Sequence, residues 1–452
     1  MVKINRTMLK TRRIVLTCAV MIPVMGFGQN VMTLHDCMEY AVSNSTKMRI
    51  QAADRSDEQL ARRDAILQAF TPSVGGSSYV YNNYGRAIDP ETNTYVNTTS
   101  FNNGYSVSAD ITLFNGFQAV NNLRISATME KLGLSKEQQA EDEICLATIQ
   151  AFCNVLYYSE LSKILEDQVA VAEKALLLSQ RQESFGEKGH ADVVQMEADL
   201  AEKQYTLVNT HNKKEDAVIN LKDVMFYPIE EELIIDEKIA PAVSLSGENA
   251  AEIAEFAKSF NPSSLVAKGN MDKAKIEWRT AQWQLSPSLR FGAGWSTSYY
   301  SYPGNPEMPT PSFNNQFRNN MGEYLQFSLS IPIYDRFSTH SNIKRKKNAY
   351  VRASAEYDQK LRDIENEVYR AVNDRDGAEA AFNQADKLAI VQEEAFALNS
   401  RKFEQGLISG IEYQTASGKY LEAMASRLNA ELQYYIKCAV VRYYNGESYI
   451  NQ

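Results

Sequence analysis

The chain has 452 residues, 44% of them hydrophobic, with 47 Lys and Arg against 56 Asp and Glu and a formal charge of −9. An acidic balance of this size makes nucleic acid a poor partner. The histidines His35, His190, His211 and His340 are scattered, and Cys37, Cys145, Cys153 and Cys438 have neither zinc nor redox spacing. No metal, no cofactor and no enzymatic activity are therefore expected.

Lys3, Arg6, Lys10, Arg12 and Arg13 precede an uncharged run from Ile14 to Phe27 and the small residues Gly26 and Gly28. This is the pattern of a secretory signal peptide over residues 1–28, placing the mature chain outside the cytoplasm. Cys18 sits within the apolar run rather than at its end, a poor lipoprotein signal. No later stretch reaches the roughly 20 apolar residues of a spanning helix. A Cys37–Cys438 disulfide has no support from spacing, and buried thiols are the better reading.

From residue 29 the chain is a duplication. Residues 113–225 reappear at 333–445 without a gap, Ile144 answering Ile364, Ala151 Ala371, Arg181 Arg401 and Gly186 Gly406, an offset of 220. Two copies rather than many exclude a solenoid. The first copy covers 29–225, a connector 226–249, and the second copy 250–452. Thr71-Pro72-Ser73 and Ser286-Pro287-Ser288 end a helix in each, because proline bars the preceding residue from the helical region.

Strands follow those prolines. Tyr105, Val107, Ala109, Ile111 and Leu113 alternate with Ser106, Ser108, Asp110 and Thr112, and the same period of two runs through Leu289 to Tyr299 and Leu325 to Ile331. Strands are predicted near 73–84, 104–114, 288–300 and 322–333. The loops Gly85–Asn103 and Ser301–Met321, rich in Asn, Tyr, Thr and Pro, read as irregular and exposed. The connector holds the acidic cluster Glu230-Glu231-Glu232 and Ala240-Pro241, with one short strand at Leu233–Ile235. Each loop turns its strand pair back on itself, so all helices lie at one end of the sheet and both loops at the other.

Gly116 to Gly186 reads as one long helix. Ile144, Thr148, Ala151, Val155, Tyr158, Ser162, Leu165, Val169, Ala172 and Leu176 are spaced by three and four, and all but Thr148 and Ser162 are apolar. Adding 220 gives Ile364, Val368, Ala371, Arg375, Ala378, Phe382, Ala385, Ala389, Gln392 and Phe396, all but Arg375 and Gln392 apolar. This is the spacing of coiled-coil packing, in a rod of about 105 Å. Strands of about ten residues suit a membrane barrel, but four cannot close one, so a cyclic oligomer is required.

Duplication, element order and the turns Glu183-Ser184-Phe185-Gly186 and Phe403-Glu404-Gln405-Gly406 resemble the TolC-like outer membrane efflux proteins over essentially the whole mature chain. Asp192-Val193-Val194-Gln195-Met196-Glu197-Ala198-Asp199-Leu200 is similar to the segment after that family's helix-tip turn. The resemblance implies an α+β membrane protein and a homotrimer with a twelve-stranded β-barrel in outer membrane lipid and a long α-helical barrel in the periplasm. It also implies a passive export duct serving a periplasmic adaptor (membrane fusion) protein and an inner-membrane transporter, in tripartite efflux or type I secretion. A structural or adhesive coiled-coil protein of the envelope is the alternative.

Gly186, Gly189, Gly406 and Ser409 mark the periplasmic tip turns, where glycine caps a helix cheaply in the left-handed region and where the resemblance puts the adaptor. Asp192 and Glu412 stand where the family has acids that constrict the entrance. They read equally as first-turn acids that complement the helix dipole. The family's basic gating partner is missing at Ile408. Tyr79, Tyr81, Trp295, Tyr299 and Tyr300 are expected to form an aromatic girdle at the membrane interface.

Overall fold

The computed structural model describes residues 31–88, 93–97, 99–237, 249–303 and 309–452. The expected signal peptide, Cys18 and Ala240-Pro241 lie outside them. The first copy runs α1 (Leu34–Asn44), α2 (Thr46–Phe70), β1 (Ser73–Asn83), β2 (Arg86–Ile88), β3 (Tyr95–Asn97), β4 (Ser100–Asn115), α3 (Gln118–Ser184) and α4 (His190–Met225). The second runs α5 (Ala250–Phe260), α6 (Pro262–Gln282), β5 (Ser288–Ser301), α7 (Phe313–Asn319), β6 (Gly322–Ser330), α8 (Ser338–Glu404) and α9 (Gly410–Tyr444).

The offset of 220 is carried into the backbone. Both long helices have 67 residues, about 100 Å each at the α-helical rise. Phe117 and Phe337 take the left-handed conformation ahead of them, at φ 61° and 60°. All twenty predicted seam positions are buried or half-buried.

Short polar side chains set the helix starts. Thr33 and Asp36 form a capping box at α1, Ser45 caps α2, and Asn261 caps α6 with Pro262 behind it.

Equivalent residues build equivalent cores. Ala41, Ile144, Ala151 and Leu221 pack together in the first copy, as Ala257, Ile364, Ala371 and Val441 do in the second. In each, a short helix, α1 or α5, is wedged against the long helix and its return. A further cluster of Met38, Ile149, Cys153, Leu432 and Ile436 joins the copies. Among the described residues Cys37, Cys145, Cys153 and Cys438 are free, buried thiols, and burial pushes the pKa of Cys37, Cys145 and Cys153 up to about 12.

β1, β4, β5 and β6 form one sheet in that order, every neighbouring pair antiparallel. β1 and β6 are its two edges, and both are exposed along nearly their whole length. Their directions are opposite, so β6 of one protomer meets β1 of the next antiparallel, and the pattern closes without a seam.

Three expectations are corrected. The first loop is not irregular throughout, because Arg86–Ile88 pairs with Tyr95–Asn97 as a small hairpin. The second contains α7. Leu233–Ile235 forms no strand but a single parallel bridge, Ile235 with Met32, while the Lys222 ammonium donates to the carbonyls of Ile229 and Glu231 at 3.0 and 2.6 Å and holds the connector's turn.

Candidate functional site: a conduit, its entrance and its mouth

The sheet has one apolar and one polar face. Register places Val107, Ala109 and Ile111 beside Trp295, Ala293 and Phe291, and the last two beside Leu325 and Phe327. Leu325, Phe327 and Leu329 are 76%, 70% and 62% exposed in the protomer. The other face presents Ser106, Ser108 and Asp110 with Gly292, Gly294, Ser296, Gln326 and Ser328. Closed into a ring, this sheet turns an apolar wall to lipid and a polar wall to the lumen.

The girdle is corrected by the same register. Trp295 and Tyr299 lie on the apolar face, but Tyr79, Tyr81 and Tyr300 are one residue out of phase and lie on the polar one, since adjacent strand residues point to opposite faces. What joins Trp295 and Tyr299 is α7. Phe313 packs edge-on or tilted against Tyr105 and Tyr299, and Phe317, one helical turn on, against Tyr105 and Trp295, with centroids 5.4–6.3 Å apart. Sequence reasoning missed Phe313 and Phe317, whose spacing of four was the available signal.

At the opposite end of the rods the two tip turns share one geometry. Gly186 and Gly406 sit at φ 76° and 71°. Glu187 N–H donates to Gln182 O at 2.8 Å and Leu407 N–H to Lys402 O at 2.9 Å, closing each long helix with a Schellman cap. The helix starts then diverge. Ser409 and Glu412 form a reciprocal capping box, whereas Gly189 offers no side-chain cap. The Glu412 carboxylate accepts from Ser409 N–H and Oγ–H at 3.0 and 3.3 Å, while Asp192 is half-buried in the first turn of α4.

Inside the tip, polar groups join the copies. Gln195 Nε2 donates to Gln414 Oε1 at 2.6 Å, and buried Ser417 donates to Gln168 at 3.2 Å. Lys203 and Asp199 make an ion pair at 2.7 Å with both side chains buried. Phe403 stacks on Tyr413 at 4.5 Å, and the Lys188 ammonium lies 3.9 Å from the Phe403 ring centre. Burial lowers the Lys188 pKa below the ordinary lysine value, with Asp192 opposing. Lys188 is the first-copy counterpart of Ile408. That mismatch between copies was legible, although the side chain's target was not.

Among the described residues no helix is long and apolar enough to cross a membrane and no cluster of His, Cys, Asp and Glu has the makings of a metal site. An open-edged amphipathic sheet carried on antiparallel rods defines one protomer of an oligomeric membrane channel. The family described as outer membrane efflux protein matches residues 256–446. Outer membrane protein TolC of Escherichia coli (strain K12) is 20% identical over 416 residues, covering 90% of this chain and 80% of TolC. The outer membrane protein VceC of Vibrio cholerae superposes with a TM-score of 0.76 at 13% identity, over 92% of this chain and 96% of that one. The open state of the MtrE outer membrane channel of Neisseria gonorrhoeae gives 0.75 at 14% identity, over 93% and 90%. Residues 256–446 thus carry the outer membrane efflux protein family's pattern, and the described chain as a whole has the fold of the TolC-like channels. That similarity places it with outer membrane efflux channels that extend into the periplasm.

Proposed function

We propose that this chain is the outer membrane duct of a tripartite efflux or type I secretion system, a homotrimer that passively conducts substrate delivered by an inner-membrane transporter and a periplasmic adaptor. The observation that carries the reading is the pair of matched tips. Two 67-residue helices end in the same Schellman cap, so three protomers present six alike hairpins to a ring-shaped partner. Phe185 and Leu407 beside the capping glycines are 79% and 68% exposed, apolar surface suited to a protein contact. In this reading Gly186, Gly189, Gly406 and Ser409 shape the adaptor-contacting turns, and Trp295 and Tyr299 anchor the barrel at the membrane interface.

Asp192 and Glu412 then narrow the entrance. Three copies of each, brought round one axis, repel one another until protons or cations relieve them. Single trimers of Asp192→Ala and Glu412→Ala in planar bilayers are expected to show altered conductance and weaker block by divalent cations. Glu412→Gln retains an acceptor for Ser409 and separates charge from capping. Unchanged currents in all three would leave both acids as helix-start residues. Cross-linking through Cys placed at Phe185 or Leu407 should capture the adaptor in cells, and capture of none would defeat the tripartite reading.

A further inference from the structure

We infer that the outward end of each protomer holds a binding site for a neutral saccharide chain. The inference rests on the outer membrane placement of the barrel and not on any adaptor or transporter. A cavity of about 550 Å³ lies between β1, β4, β5 and α7, and none of its described lining residues is charged. Its volume falls in the range of small-molecule sites.

One wall is aromatic. Tyr79 and Tyr81 stack with centroids 5.9 Å apart and planes 19° from parallel, and their hydroxyls have no hydrogen-bond partner among the described residues. Gly104 allows this arrangement. A Cβ there would come 2.3 Å from the Tyr79 ring, so the ring lies across β4, toward the middle of the sheet and away from the free edge of β1. The site thus belongs to one protomer and is not consumed when the ring closes.

The facing wall is amide. Gln316, 3% exposed, accepts from Tyr300 N–H at 3.0 Å and donates to Tyr300 O at 2.7 Å, and Asn320 donates to Ser298 O at 2.9 Å. These bonds complete the edge of β5 beyond the end of β6 and fix α7, which carries Asn319 into the cavity wall. A fixed wall costs little ordering on binding. Flat aromatic rings that take sugar C–H faces, amides and phenols that take hydroxyls, and no charge together select a neutral polyol over an acidic or basic ligand.

The test titrates detergent-purified trimer with maltohexaose, cellohexaose and, as charged counterpart, hexagalacturonate, by calorimetry. Saturable binding of a neutral hexaose is expected, with hexagalacturonate weaker. Tyr81→Ala should weaken it about tenfold, the scale of one lost aromatic contact. Gly104→Ala should weaken it likewise by displacing Tyr79, and if that variant yields no trimer, Asn319→Ala reads the opposite wall. Block of single-channel current from the external side alone points to a cell-surface glycan, and block from both sides to a sugar in transit. No binding of either neutral hexaose, equal binding of hexagalacturonate, or affinity untouched by Tyr81→Ala and Asn319→Ala would overturn the site.

Discussion

Gly116 and Arg336 hold the same place in the two copies, both at positive φ, 65° and 59°, yet only one of them needs to be glycine. A Cβ on Gly116 would sit 2.3 Å from the backbone oxygen of Trp283, where α6 ends against the junction, whereas Arg336 stands in the open. The left-handed region costs an ordinary residue roughly 1 kcal/mol, and a clash with backbone cannot relax cheaply. Gly116→Ala should therefore cost more than about 2 kcal/mol and lower the heat-dissociation midpoint of the trimer. Arg336→Gly should stay within about 0.5 kcal/mol, the relieved strain being offset by a more flexible unfolded chain. Equal sensitivity at the two sites would contradict the packing difference between the copies. The offset of 220 paired these residues in sequence. It could not reveal which of them faces Trp283, because that contact comes from an element outside the repeat's gapless stretch.

Long elements were legible and short ones were not, for a physical reason. A seam of 3.5-residue period over ten positions is a repeated signal, and a period of two over nine or more residues is nearly as strong. The seven residues of α7 offer two turns' worth, and their stability comes from Gln316 and the aromatic faces of β4 and β5, so composition alone read the segment as loop. Burial is also unequal along matched elements. α3 carries twenty-two buried residues and α8 seven, while α2 has none. α2 and α8 flank the protomer as β1 and β6 do, so the missing cover is a neighbouring copy. Leu60 and Leu67, seven apart on one face of α2, are 42% and 45% exposed. Leu60→Glu with Leu67→Glu should weaken the trimer by about 1 kcal/mol per lost side chain at each interface, the share of a leucine's full burial that the protomer leaves open. The helicity of the protomer by circular dichroism should be unchanged. A trimer of undiminished heat stability would place that face elsewhere than in the interface.

At the scale of the whole molecule, what the duplication enforces is equal reach. Each protomer offers two hairpins of one length, and a partner that meets a sixfold rim needs all six tips at one height. Removing seven residues from α3 and the facing seven from α4 preserves the seam, since seven is its repeat, but lowers one tip of each protomer by about 10.5 Å. Removing matching heptads from α8 and α9 as well restores a level rim on a shorter duct. Both variants should fold and trimerise in the outer membrane, because barrel, junctions and the α1 and α5 wedges are untouched. Copurification of the adaptor should be lost in the first and recovered, at least in part, in the second. A rim of two heights that still captures the adaptor would mean that the partner reads each hairpin singly. The identical length of α3 and α8 would then be a relic of the duplication, not a requirement of docking.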